Sequence, residues 1–238
     1  MTSRDSHPAQ TFDEFAGSYD HALAQGLSAT GEDREFFARG RIQLLKSHLD
    51  RLRVRPETVM EFGCGTGSNL PILLELTGAK SVLGIDVSQR SIEVARKSID
   101  CPAASFARPS EYRPAAQIDL AFCNGVLHHI DPDKRLSAVQ YVRDCLRPGG
   151  LFALWENNPW NPGTRLVMKR IPFDRNAIML SASEGRRLLT GAGLRVLSSE
   201  YMFIFPHALR WLRALEAPLA SLPLGGQYQL LAVKPEPL

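Results

Sequence analysis

From residue 58 onward, short apolar runs of strand type alternate with longer runs of helical period, and this alternation constrains the fold most. TVMEF, SVLGID, AASFA, IDLAFCN, LFALWEN, LRVLSSEYMFIF and QYQLLAV read as strands. Between them, GSNLPILLEL, SQRSIEVARKSI, DPDKRLSAVQYVRDCL and SASEGRRLLTGAG read as helices, with Ser88 a plausible N-cap and the RPGG turn at 147–150 as a stop. Strands that alternate with helices at this spacing need crossover connections, so the sheet is mostly parallel and covered on both faces. The expected fold class is α/β: a Rossmann-like, seven-stranded, mostly parallel sheet with helices on both faces. Residues 1–55 are helical in pattern and have no strand to contribute, so they should form an N-terminal cover on a core of 56–238. The expectation is a single domain over 1–238, and 238 residues, 44% of them hydrophobic, suffice for one sizeable core.

In an open parallel sheet, ligands bind outside the carboxyl ends of the strands. The first strand-to-helix turn, EFGCGTG, lies there, with Gly63, Gly65 and Gly67 at alternate positions. Glycines let the backbone take left-handed dihedrals and let a ligand approach closely, and the following helix offers free N–H groups. Asp86 ends the second strand, where a carboxylate can accept both hydroxyls of a ribose. A nucleoside-like ligand is implied. A dinucleotide fingerprint would place the third glycine one position later, where Ser68 stands.

The glycines instead run ExGxGxG from Glu61, which resembles motif I of the class I S-adenosylmethionine-dependent methyltransferases. VLGIDVSQRSIEVAR resembles the second-strand motif of that family, DLAFCNGVLHHI the fourth-strand motif, LRPGGLFALWE the turn into the fifth strand, and TFDEFAGSYD an N-terminal Tyr-Asp segment. The resemblance implies S-adenosylmethionine as cofactor and S-adenosylhomocysteine as product, with no metal. It implies contacts from Tyr19, Glu61, Gly63, Cys64, Gly65, Gly67, Asp86, Val87 and Asn124. Glu61 would hold the glycine loop and the methionine end of the cofactor; a loop brace without ligand contact is its bland alternative. The stretch FARPSEYRP departs from the family pattern, and Ser110 or Glu111 would supply the adenine contact.

Methyl transfer from a sulfonium needs positioning and exclusion of water more than acid–base machinery. Two segments at strand ends can build the acceptor pocket. NGVLHHI offers His128 and His129 as catalytic candidates. As neighbours on a regular element they should point apart, one lining the pocket and one structural. WENNPWNPGTR offers Trp155, Asn157, Asn158 and Trp160 as substrate-binding candidates, suited to a flat or cationic molecule; the alternative is a Pro-rich turn with core tryptophans. The amino-methylase run of Asn-Pro-Pro-aromatic after the fourth strand is not here; that position reads CNGVLHH.

The net charge of +3 is too small to argue for nucleic acid, and Arg39, Arg41, Lys46, Arg51, Arg53 and Arg55 read as a solvated helix face. No apolar run has the length of a membrane span, and the polar N-terminus lacks the apolar stretch of a signal peptide. Cys64, Cys101, Cys123 and Cys145 form no CxxC pair and read as reduced thiols. The expected setting is therefore cytoplasmic, with a small-molecule acceptor as partner and neither nucleic acid nor membrane. Leucines 209, 212, 215 and 219 are near helical spacing and read as a core-packing helix; a pocket cap or a homodimer contact are the other options. A protein or RNA methyltransferase, an S-adenosylmethionine-consuming cyclase and a non-catalytic nucleotide-binding module remain as alternatives.

Overall fold

A computed structural model describes Asp13 and residues 19–237. Helices α1 (Tyr19–Leu27) and α2 (Arg34–Leu52) precede β1 (Thr58–Phe62), α3 (Leu70–Thr77), β2 (Ser81–Ile85), α4 (Gln89–Ser98), β3 (Ala104–Ala107) and β4 (Ile118–Asn124). Then come α5 (Arg135–Cys145), β5 (Leu146–Asn157), α6 (Pro162–Arg170), α7 (Ala182–Gly191), β6 (Arg195–Met202), α8 (Glu216–Leu219) and β7 (Gln227–Val233). One seven-stranded sheet runs β3-β2-β1-β4-β5-β7-β6. β7 pairs antiparallel with both β5 and β6, and the other pairings are parallel. The chain starts at β1, winds out to β3 and crosses back to β4, so the switch in strand order lies between β1 and β4.

The period-two alternation of each strand splits the core into two layers. Leu120 and Phe122 of β4, with Leu151, Ala153 and Trp155 of β5, pack against Ile42, Leu45 and Leu49 of α2 and Leu70 and Leu73 of α3. Ala121 and Cys123, with Phe152 and Leu154, pack on the opposite face against Val139, Val142 and Leu189. Helix α2 thus covers one face of the sheet and contributes Ile42, Leu45 and Leu49 to the core. Its start is fixed by Asp33, whose carboxylate accepts the Phe36 N–H. Ser88 caps α4 by accepting from Ser91 N–H, and Ser181 with Glu184 forms a capping box on α7.

The RPGG turn does not separate α5 from β5. The strand already begins at Leu146, and its register on β4 jumps from Ile118↔Leu146 to Leu120↔Leu151. Gly149 at φ +71° supplies the left-handed residue of that irregularity. The leucine-rich segment before β7 also differs from expectation. Residues His207–Leu215 form 3₁₀ turns with Leu209 and Leu215 exposed, so they are not a core-packing helix. All four cysteines are free, and Cys64, Cys123 and Cys145 are buried. Among the described residues, no helix is long and apolar enough to cross a membrane.

Candidate active site

The three glycines do different work. All have positive φ, at +77°, +52° and +80° for Gly63, Gly65 and Gly67. A Cβ on Gly63 would lie 2.2 Å from Val126 Cγ2, and one on Gly67 would lie 3.0 Å from Phe106. Those two glycines permit close packing of the turn. A Cβ on Gly65 would meet nothing within 4 Å. Its open side faces a groove of about 100 Å³ that is also lined by Phe62, Thr66, Asp86, Val87 and Asn124.

Asp86 holds this turn from the end of β2. One carboxylate oxygen accepts Gly65 N–H at 2.8 Å and the other accepts Ser88 N–H at 2.8 Å. Burial raises the Asp86 carboxyl, against these two backbone hydrogen bonds. Glu61, at the end of β1, is fully buried. Its Oε1 accepts Asn69 Nδ2–H at 2.6 Å, while Oε2 has no partner. Asn124 Oδ1 is likewise buried without a partner. A tight turn alone explains neither orphaned acceptor. These acceptors suit a ligand that brings hydrogen-bond donors, such as an ammonium group and hydroxyls.

Burial pushes the Glu61 carboxyl up to about 8, from an ordinary value of 4.5. The folded free protein therefore keeps a proton that the unfolded chain has lost between those two values. Stability contributed below pH 4.5 is lost as pH rises through 8. Glu61→Gln keeps an acceptor for Asn69 and removes the titration. It should raise stability at pH 8 by an amount on the order of a few kcal/mol, and with it the melting temperature, and leave both unchanged at pH 4.5. Scanning calorimetry at the two pH values checks this, and an equal gain at both would refute it.

Beyond the groove lies a larger cavity of about 360 Å³. Leu23 and Leu27 of α1, Arg34, Phe37 and Arg41 of α2, Asn157, and residues 203–206 before β7 are in its wall. Asn124, Gly125 and His129 border both spaces. Arg41 is buried, and its Nη1 donates to Gln227 Oε1 at 3.0 Å. It does not lie on the solvated helix face expected from the charge pattern. Arg34, Phe37 and Arg41 are spaced to share one stripe of α2, which a count of basic residues could not reveal.

The two histidines occupy a 3₁₀ turn, Leu127–His129, entered through Gly125 at φ +68°. They do not point apart. Their ring centroids are 4.1 Å apart, and both approach Asp174. His129 Nε2 lies 3.1 Å and His128 Nε2 3.7 Å from Asp174 Oδ1. A tight turn separates successive side chains less than a strand does, so one carboxylate can face both. Glu156 of β5 accepts Val126 N–H and Leu127 N–H through Oε1, and its Oε2 lies 2.6 Å from His128 Nδ1. Burial opposes the charge on His128, but Glu156 and Asp174 outweigh it and push the imidazole up to about 10. Burial and the neighbouring His128 lower His129. Burial raises Asp174, yet hydrogen bonds from both histidines hold it at about 2. Asp174 carried no signal in the sequence, because it belongs to no local motif; Glu156 lies in the LRPGGLFALWE and WENNPWNPGTR segments, but its place behind His128 is not written there.

Several expected site residues lie elsewhere. Trp155 is fully buried between the sheet and α2, because its position on β5 shares the face of Leu151 and Ala153. It is a core residue and not a pocket wall. Trp160 is 71% exposed and outside the cavity lining. Asn158 is buried and structural: Nδ2 donates to the carbonyls of Pro223 and Gly225, and Oδ1 accepts Trp160 N–H. Ser110 and Glu111 are exposed, Glu111 pairs with Arg108, and it is Pro109 that lines the groove. Cys64 is buried against Gly84 and outside the groove lining. The expected contact of the Tyr19 side chain with the cofactor lies outside the described residues.

Residues 60–152 match the family model described as a methyltransferase domain. A trans-aconitate 2-methyltransferase of Azoarcus sp. (strain BH72) is 28% identical over 146 residues, 60% of this chain and 57% of that relative. A trans-aconitate 2-methyltransferase of Rhizobium leguminosarum bv. trifolii is 33% identical over 95 residues, 40% of this chain and 36% of the relative. The matched region thus spans about a third to somewhat over half of these relatives' length. The fold matches the N-methyltransferase NodS of Bradyrhizobium japonicum WM9, solved with S-adenosyl-L-homocysteine, at TM-score 0.66 and 16% identity, covering 97% of this chain and 100% of that one. It also matches a Haloferax volcanii putative methyltransferase solved with the Trm112 activator, at TM-score 0.65 and 17% identity, covering 98% and 99%.

Proposed function

The chain belongs to the class I S-adenosylmethionine-dependent methyltransferases, and we propose that it methylates a small, carboxylate-bearing molecule held in the larger cavity. The observation that carries this reading is the junction of the two spaces. Asn124, Gly125 and His129 border both the glycine-turn groove and the 360 Å³ cavity. A molecule in one can meet a molecule in the other without leaving the protein.

The cofactor, when bound, supplies an electrophilic methyl group on a sulfonium. Gly65 leaves room for it, Asp86 stands at the ribose position, and Glu61 and Asn124 offer buried acceptors. Val87, 47% exposed, forms part of the groove wall. The acceptor's wall carries Arg34, Arg41 and Arg213 against Glu32 and Asp174, an excess of positive charge that favours an anion over the cationic molecule suggested by the tryptophans. The trans-aconitate methyltransferases among the relatives support the same chemistry. Of the two histidines, His129 borders the junction and has the catalytic place, while His128, pinned by Glu156, positions it.

A panel of small carboxylic acids, amines and phenols, each incubated with S-adenosylmethionine, tests this. S-adenosylhomocysteine and a methylated product should form with one or more acids, and His129→Ala should lower kcat while keeping cofactor affinity. Turnover with the amines or phenols but with none of the acids would overturn the anionic reading.

We also read residues 1–238 as one domain whose first segment closes over the groove. Asp13 supports this: its carboxylate accepts from Ser88 Oγ–H at 2.5 Å and Arg90 N–H at 3.2 Å, beside the Asp86 turn. Saturating S-adenosylhomocysteine should therefore protect residues 10–30 from protease. Unchanged cleavage there would contradict the lid.

A further inference from the structure

The cluster of His128, His129 and Asp174 has features that neither the glycine turn nor the anion-binding wall requires. Its three ligand-capable atoms lie within 4.8 Å of one another, and all three side chains are largely buried. Metal–nitrogen and metal–oxygen bonds of about 2.0–2.2 Å put neighbouring donor atoms about 2.9–3.4 Å apart in octahedral or tetrahedral sites. The observed 3.1 Å lies inside that range and 3.7 Å lies just beyond it, a gap that a small rotation of the His128 ring closes. The donor set is two imidazoles and one carboxylate, which suits a divalent transition metal and leaves open positions for a further ligand.

A second, independent observation is Glu156. Metal-binding histidines usually donate their other ring nitrogen to a carboxylate, which fixes the tautomer and orients the ring. Glu156 Oε2 stands 2.6 Å from His128 Nδ1 and is itself held by two backbone N–H groups through Oε1. His128 is thereby turned so that Nε2 faces Asp174. The two turns that carry the donors are tied together, since Ile178 N–H donates to the His128 carbonyl at 2.9 Å.

We propose that His128 Nε2, His129 Nε2 and Asp174 Oδ1 bind a divalent transition-metal ion in the wall of the larger cavity, with Glu156 as the outer partner of His128. All three donors border that cavity, so the open positions face the space where an acceptor oxygen would lie. The site departs from the metal-free expectation of the sequence because Asp174 is remote from the histidine pair in the chain. It stands independently of methyl transfer, since binding of the ion needs neither cofactor nor acceptor.

Metal-free full-length protein is titrated with Co²⁺ and followed by its ligand-field absorption, and with Zn²⁺ by calorimetry. The expected result is one ion per chain, low-symmetry Co²⁺ bands, and a melting temperature raised by Zn²⁺. Asp174→Asn, close in shape to the native residue, and His129→Ala should lose the bands. Glu156→Gln should weaken binding roughly 10–100-fold. His207→Ala, at an exposed histidine outside the cluster, should bind as the wild type does. Folding of each variant is checked by circular dichroism. Failure of the wild type to take up either ion at millimolar concentration overturns the proposal. Wild-type Co²⁺ bands in folded Asp174→Asn overturn it equally, even if methyl transfer is observed.

Discussion

Gly65→Val abolishes S-adenosylhomocysteine binding in a protein that still folds. The physical case is local. Gly65 sits at φ +52°, and a Cβ there meets nothing of the protein within 4 Å. The valine side chain therefore enters the groove itself, where it occupies the ligand's space. A β-branched residue at positive φ adds strain of about 1–3 kcal/mol, which a domain of this size can absorb. Gly63→Val makes the contrasting case. Its Cβ would stand 2.2 Å from Val126, so that variant should lose stability before it loses binding. Asp86→Ala should be graded: about 2–3 kcal/mol weaker, the scale of a hydrogen bond to a charged group, with some of that loss from the freed Gly65 and Ser88 N–H groups. Calorimetric titration of S-adenosylhomocysteine reads all three. Wild-type affinity in Gly65→Val or in Asp86→Ala would remove the glycine turn from the cofactor site.

Trp155→Ala lowers unfolding free energy by about 3–5 kcal/mol, the usual cost of emptying a large aromatic site in a core. Trp155 is fully buried among Phe122, Leu45 and Ile42, with the Phe203 ring 6.5 Å away. Its indole N–H has no partner, so the loss is one of packing and not of a hydrogen bond. Trp160→Ala, at an exposed ring, should stay within about 0.5 kcal/mol of wild type. Urea unfolding of the pair separates the two roles. If Trp155→Ala unfolded like wild type while raising KM for an acceptor, the tryptophan would line the pocket after all.

Much of the fold was legible in the sequence because its signals are local. The seven strand-like runs correspond to the seven strands, since alternation of side chains along a strand is written in successive residues. Ser88 and the glycines of the first turn were legible for the same reason: a cap and a left-handed turn are settled within a few positions. The same locality explains the errors. WENNPW looks like a pocket rim, but strand parity puts Trp155 into the core layer under α2 and puts Glu156 on the opposite face, behind His128.

By itself, then, the sequence determined the α/β alternation, the glycine turn with Glu61 before it, and Asp86 at the end of the second strand. Only the tertiary structure decided which arginines of α2 face the cavity and which face water. It alone brought Asp174, from the turn Pro172–Asp174 after α6, against the two histidines that follow β4. It also closed the larger cavity with residues 203–206, next to β7. The physical reason is that hydrogen-bonded periods and turn dihedrals depend on neighbours in the chain. A cavity and its charge depend on which distant segments the sheet order makes adjacent, and no local pattern encodes that order.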